Sequence, residues 1–226
     1  MHAKMTLAQT LWRAPAVVLL GLAIAAAARG HRARELPFYS DASFTPRWPV
    51  PLTKNLARVP HVASFALTDQ RGARITEADI AGRVAVVNFF YTRCGDICPV
   101  TRDRLRTIAA RYATDDRVVL LSHSVTPRAD STARLAEFAA AQRIDARRWH
   151  LLTGPDTTLR RLAQDSYHLL PPSAKSWGVA SIAHTERVLL VDQFGRIRGV
   201  YNGTLALEMD NLRADLDLLL ASPATR

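Results

Sequence analysis

Apolar and polar positions follow three different rhythms along this chain. Near the N-terminus, Ala14 to Ala28 is an apolar run interrupted only by Pro15 and Gly21 and preceded by Lys4 and Arg13. From residue 61 onward short apolar runs take over. Val84 to Phe90 (VAVVNFF) and Val118 to Ser122 are nearly continuous, the pattern of strands covered on both faces. Ala63 to Thr68 and Trp149 to Thr153 predict two further strands, with Ile75 to Ile80 as a short helical connection. The third rhythm is helical. Leu105, Ile108, Ala109 and Tyr112 recur at helical spacing and predict a helix from Pro99 to Ala113, with Pro99 in its first turn. A second helix runs through Leu135, Phe138 and Ala139, with Asp130 or Ser131 able to cap it. Gly154 to Gln164 predicts a third helix, and Leu205 to Leu220 an amphipathic one that closes the chain. Arg187 to Val191 and Ile197 to Tyr201 flank Asp192-Gln193-Phe194-Gly195, a hairpin turn with a glycine available for positive φ.

Strands alternating with helices, followed by an antiparallel pair, predict an α/β chain. Its expected form is a thioredoxin-like fold, a mixed central β-sheet flanked by helices. Three segments are expected. Residues 1–34 form a signal peptide or membrane anchor, 35–60 a proline-rich extended linker, and 61–226 the domain. With 226 residues, 48% of them apolar and 22% charged, the chain can bury a full core in a domain of roughly 150 to 200 residues.

The length of the N-terminal apolar run fits a signal-peptide core, and Ala26-Ala27-Ala28 offers a cleavage site. Leu11 and Trp12 extend the run backwards and Arg13 can snorkel, which fits an uncleaved anchor. Either reading exports the domain. The expected location is the periplasmic face of a bacterial inner membrane; release into the periplasm and the mitochondrial inner membrane are the alternatives.

Charge narrows the partners. The formal net charge is +10, but five basic residues and no acid lie in residues 1–34, leaving 25 basic against 20 acidic side chains elsewhere. That remainder is scattered, without a basic stripe or interleaved aromatics, so no nucleic-acid binding is expected.

The two cysteines, Cys94 and Cys98, are separated by three residues. Closing so short a loop removes little chain entropy, so the pair suits a redox couple or a metal clamp better than a structural staple. At the mouth of a helix, unpaired backbone N–H groups and the helix dipole favour the thiolate. Two thiolates suit a soft ion and need a further ligand, for which histidine is the available donor. Of seven histidines, His2 and His31 fall in the targeting segment, and His61, His123, His150 and His168 lie elsewhere in the domain. His184 immediately precedes the strand Glu186 to Val191, where a thioredoxin-like sheet brings the chain to the cysteine loop. Spacing alone leaves it equally compatible with a plain loop histidine.

Val87 to Pro99 (VNFFYTRCGDICP) resembles the SCO/SenC copper-chaperone motif, a hydrophobic strand running into Thr-x-Cys-x-x-x-Cys-Pro. Phe65 to Gly72, Leu121 to Pro127 and Ile182 to Gly195 (IAHTERVLLVDQFG) are similar to further segments of that family, so the resemblance covers about residues 61 to 220. It implies that Cys94, Cys98 and His184 bind one copper ion for delivery to the binuclear copper centre of cytochrome c oxidase subunit II. Another copper donor or a thiol reductant would be a further partner, and the N-terminal segment would attach the protein to the membrane. Where many members read Ser-Val-Asp-Pro, this chain has Ser124-Val125-Thr126-Pro127. Asp96, between the cysteines, can tune the site, face a partner or cap the helix.

Two enzymatic readings stand beside the chaperone, and the first can coexist with it. A thiol-disulfide oxidoreductase would use one sulfur to attack a target disulfide and the other to resolve the mixed intermediate. A peroxiredoxin-like peroxidase is weaker, because its nucleophile follows Pro-x-x-x-Thr-x-x-Cys and this loop lacks that proline.

Overall fold

The computed structural model describes residues 35–48, 59–171, 173–174, 177–179 and 186–222. The apolar N-terminal run and His184 lie outside the described residues. Among the described residues no helix is long and apolar enough to cross a membrane.

Strands β1 (Ala66–Thr68) and β2 (Arg74–Thr76) form an antiparallel pair in which Leu67 faces Ile75. Ile75, expected on a helical connection, is therefore a strand position. Its branched side chain is buried with Leu67, and Asp69 closes the intervening turn by accepting the N–H groups of Arg71 and Ala73. Helix α1 (Glu77–Ile80) is a single turn, opened by reciprocal bonds between Thr76 and Asp79.

The main sheet has five strands in the order β5-β4-β3-β6-β7. At its centre, β3 (Val84–Phe90) pairs parallel with β4 (Val118–Ser124) and antiparallel with β6 (Arg187–Val191). Outside these, β5 (Trp149–Leu152) runs parallel to β4 and β7 (Ile197–Asn202) antiparallel to β6. Every residue of β3 and β4 is buried, which accounts for their largely apolar sequence, and the buried Asn88 and Ser122 satisfy each other by a hydrogen bond. Side chains alternate between two cores. Val87, Phe89 and Leu121 meet α1, the β1–β2 pair and α4 (Asp156–Arg161), which continues into a π-helical turn at Leu162–Ser166. On the opposite face Val86, Phe90 and Leu120 meet α2 (Ile97–Arg111), α3 (Thr132–Ala141) and α5 (Ala206–Ala221). This is the thioredoxin-like arrangement expected from the element order. Gly195 takes a φ of +77° in the β6–β7 turn.

Residues 36–48, part of the expected linker, hold close to the sheet. Tyr39 bridges to Ile197, Phe38 bridges to Arg47, and Leu36 and Phe38 are buried. The guanidinium groups of Arg196 and Arg198 lie over the Phe38 ring at 5.2 and 4.1 Å.

The topology creates one functional edge. Parallel β3 and β4 both end there, and β6, antiparallel to β3 with Val188 opposite Asn88, begins there. The cysteine loop, the loop after β4 and the entry to β6 therefore meet at the same end of the sheet.

Candidate metal centre

After Phe90 the chain turns at once, the Cys94 N–H donating to the Tyr91 carbonyl at 3.2 Å. Helix α2 begins at Ile97, two residues before the expected start, so Cys98 and Pro99 both lie in its first turn. The missing N–H of Pro99 costs no intrahelical bond there. Asp96 occupies the N-cap position but makes no side-chain cap bond and is exposed.

Cys94 and Cys98 are both free, half-buried thiols. They line one cleft with Phe90, Tyr91, Arg102, Phe138, Glu186 and Arg187. Burial works against ionising either sulfur. At Cys94 that penalty is outweighed by hydrogen bonds from the Cys98 thiol, from the backbone N–H groups of Asp96 and Cys98, and from the Tyr91 hydroxyl, so its pKa falls below the ordinary thiol value. At Cys98 burial and the neighbouring Cys94 push the pKa up to about 12, with only partial relief from the Tyr91 backbone and the positive charge of Arg102. The pair thus favours ionising Cys94 first and leaves the proton on Cys98.

A buried carboxylate fixes the loop from below. Asp130, 1% exposed, accepts the Thr92 hydroxyl at 2.6 Å, the Ser124 hydroxyl at 2.6 Å and the Thr126 hydroxyl at 2.9 Å. It joins the segment two residues before Cys94 to the end of β4. Of the two expected caps for α3, Ser131 fills that role by accepting the Arg134 N–H, which leaves Asp130 for the network. Thr126 is one of its donors.

The described histidines lie away from the thiols. His123 is the penultimate residue of β4, completely buried, stacked on Phe89 at 5.0 Å and 3.3 Å from the Tyr167 hydroxyl. It shares the sheet face of Leu121, opposite the cysteine cleft. His150 pairs through Nδ1 with the buried Asp69 at 3.0 Å. His61 borders a cavity with Ala85 and Val191, at the other end of β3. Among the described residues no group of three or more His, Cys, Asp or Glu side chains is placed to hold a metal. The structure thus brings together Cys94 and Cys98; the third expected ligand, His184, is outside the described residues.

Chemically the cleft offers two soft sulfur donors, Cys94 from the loop and Cys98 from the first turn of α2, open on one side, which fits a soft metal ion. Sequence reasoning missed Asp130 as an anchor, Arg102 as the cation in the cleft, and Glu186 and Arg187 as its far wall. Only the last had a sequence signal, since both residues follow the expected ligand His184 closely.

Comparison with known proteins agrees with this geometry. The curated SCO1 protein homolog of Bacillus subtilis (strain 168) is 25% identical over 157 residues, covering 69% of this chain and 80% of that protein. The protein sco1 of Schizosaccharomyces pombe is 30% identical over 77 residues, 33% of this chain and 29% of that one. Among solved structures, BsSco, described as a member of the Sco family of cytochrome c oxidase assembly proteins, superposes with a TM-score of 0.61 at 22% identity, over 73% of this chain and 95% of that one. Bradyrhizobium japonicum ScoI with copper bound gives 0.55 at 21% identity, over 70% and 99%. The sequence model of the SCO1/SenC family matches residues 54–218, most of the chain and all of the sheet and cysteine loop just described, and the chain belongs to that family.

Proposed function

We propose that this chain binds one copper ion through Cys94, Cys98 and His184 and hands it to the binuclear copper centre of cytochrome c oxidase subunit II. The carrying observation is that two free thiols in one open cleft share that cleft with Glu186 and Arg187. His184 precedes Glu186 by two residues, a span of at most about 7 Å of extended chain. Two thiolates and an imidazole form a low-coordinate set suited to soft copper, and an open side lets an acceptor's ligands replace them one at a time. The solved relatives with copper bound, and BsSco as a member of a family of cytochrome c oxidase assembly proteins, support the same reading. Metal binding must displace the proton held on Cys98, so uptake weakens as pH falls. The N-terminal apolar segment would hold this domain on the extracytoplasmic face of the membrane.

Anaerobic titration of the reduced full chain in detergent with Cu(I), wild type beside His184→Ala, tests the proposal. One tightly held copper is expected in the wild type, with weaker binding in the variant. Undiminished affinity in His184→Ala would reject that ligand.

The opposite pKa displacements of the two thiols favour a second activity at the same site. Cys94 is set to attack a disulfide in the target and Cys98 to resolve the mixed disulfide, leaving the target dithiol reduced and Cys94–Cys98 oxidised. Rapid disulfide exchange with no copper uptake would make this the main function.

A further inference from the structure

Arg102 lies one helical turn after Cys98 and lines the same cleft. Its guanidinium sits over the Phe138 ring at 5.8 Å and its side chain is only 18% exposed. Its Nε is buried without a hydrogen-bond partner and makes a loose ion pair, at 3.7 Å, with the exposed carboxylate of Asp103. Glu186 and Arg187, the other charged groups lining the cleft, are of opposite sign and together add no net charge. Glu186 accepts the Asn202 amide, and Arg187 stacks over Phe44 at 4.6 Å. Arg102 is thus a largely buried cation in the cleft of the thiols, its ion pair with Asp103 loose and on the exposed side.

Building on the copper-binding reading, we infer that Arg102 is the counter-cation of the metal site and sets its preference for Cu(I) over Cu(II). Two thiolates and a neutral imidazole around Cu(I) carry one net negative charge, which Arg102 cancels. Around Cu(II) the same ligands are already neutral, so Arg102 leaves one uncompensated positive charge in a partly desolvated cleft. Net charge in such a cleft is unfavourable, so the arginine stabilises the monovalent complex and opposes its loss of an electron. Phe138 supports the role by covering one face of the guanidinium without neutralising it. Arg102 is a positioning residue in this scheme, making no bond to copper.

The test is the midpoint potential of the copper-loaded full chain, titrated chemically with the ligand set intact. Arg102→Met keeps the aliphatic stem over Phe138 and removes the charge, and Arg102→Gln is a second neutral variant. Both are expected to shift the Cu(I) to Cu(II) affinity ratio tenfold towards Cu(II), a fall of about 59 mV for one electron. Arg102→Lys should restore most of the difference. Raising ionic strength should lower the wild-type potential and barely move that of Arg102→Met. A wild type that binds copper while either folded neutral variant keeps its potential overturns the inference alone. A wild type that binds no copper overturns the copper reading and the inference with it.

Discussion

Asp130 is the residue on which the cysteine loop rests. Removing its carboxylate in Asp130→Ala leaves the hydroxyls of Thr92, Ser124 and Thr126 without their buried acceptor. The expected loss is about 3 kcal/mol, read as a lower urea midpoint, with Asp130→Asn losing about 1 kcal/mol. An unchanged midpoint in the alanine variant would mean the loop is fixed by other contacts. His123 carries a pH dependence of definite sign. Burial lowers its pKa from 6.5 to about 3, so the unfolded chain takes up a proton that the folded chain refuses. Its contribution to stability is therefore complete above pH 6.5 and is lost as pH falls towards 3, at up to about 1.4 kcal/mol per pH unit. Chemical unfolding across that range should show a shallower slope in His123→Phe than in wild type; identical slopes would assign the dependence to other groups. Neither role was legible in the sequence. An aspartate before a helix reads as a cap, and a histidine at the end of an apolar run reads as a strand terminus, because the partners that redefine them are distant in the chain.

At the scale of elements, the cleft depends on how α2 and α5 abut. They lie side by side in the same direction: Gly203, just before α5, faces Thr101 in the first turns of α2, and Arg111 at the end of α2 pairs with Asp217 near the end of α5. A Cβ at Gly203 would stand 2.7 Å from Thr101 Cγ2 and 2.9 Å from Val188 Cγ2. Gly203→Ala is expected to cost about 1 to 3 kcal/mol in thermal melts and to push the start of α2 away from β6. Thr101→Ser in the same chain should recover part of the loss; no recovery would place the strain at Val188. Helix periodicity and strand runs located most elements within two or three residues. The differences lie where tertiary contacts override local pattern, as at Ile75, drawn into a strand by Leu67, and at Leu162–Ser166, where the helix widens into a π-helical turn.

For the molecule as a whole, residues 36–48 belong to the folded body more than their proline content suggests. A chain beginning at His61 loses Leu36, Phe38 and the backbone acceptors of Arg198 at Pro37 and Leu36. It is expected to be less stable than one beginning at Leu36 by at least roughly 2 kcal/mol in urea, and equal midpoints would show that this segment adds nothing. The sequence by itself determined the α/β order, the buried central strands, the placement of the cysteines at a helix start and the family motif around them. Each of these rests on neighbours a few residues apart, where spacing and side-chain type suffice. Only the tertiary structure decided that Asp130 holds the cysteine loop, that Arg102 stands in the cleft and that the entry to β6 forms its far wall. Those relations join segments tens of residues apart, and it is the pairing of β3 with both β4 and β6 that brings them to one edge.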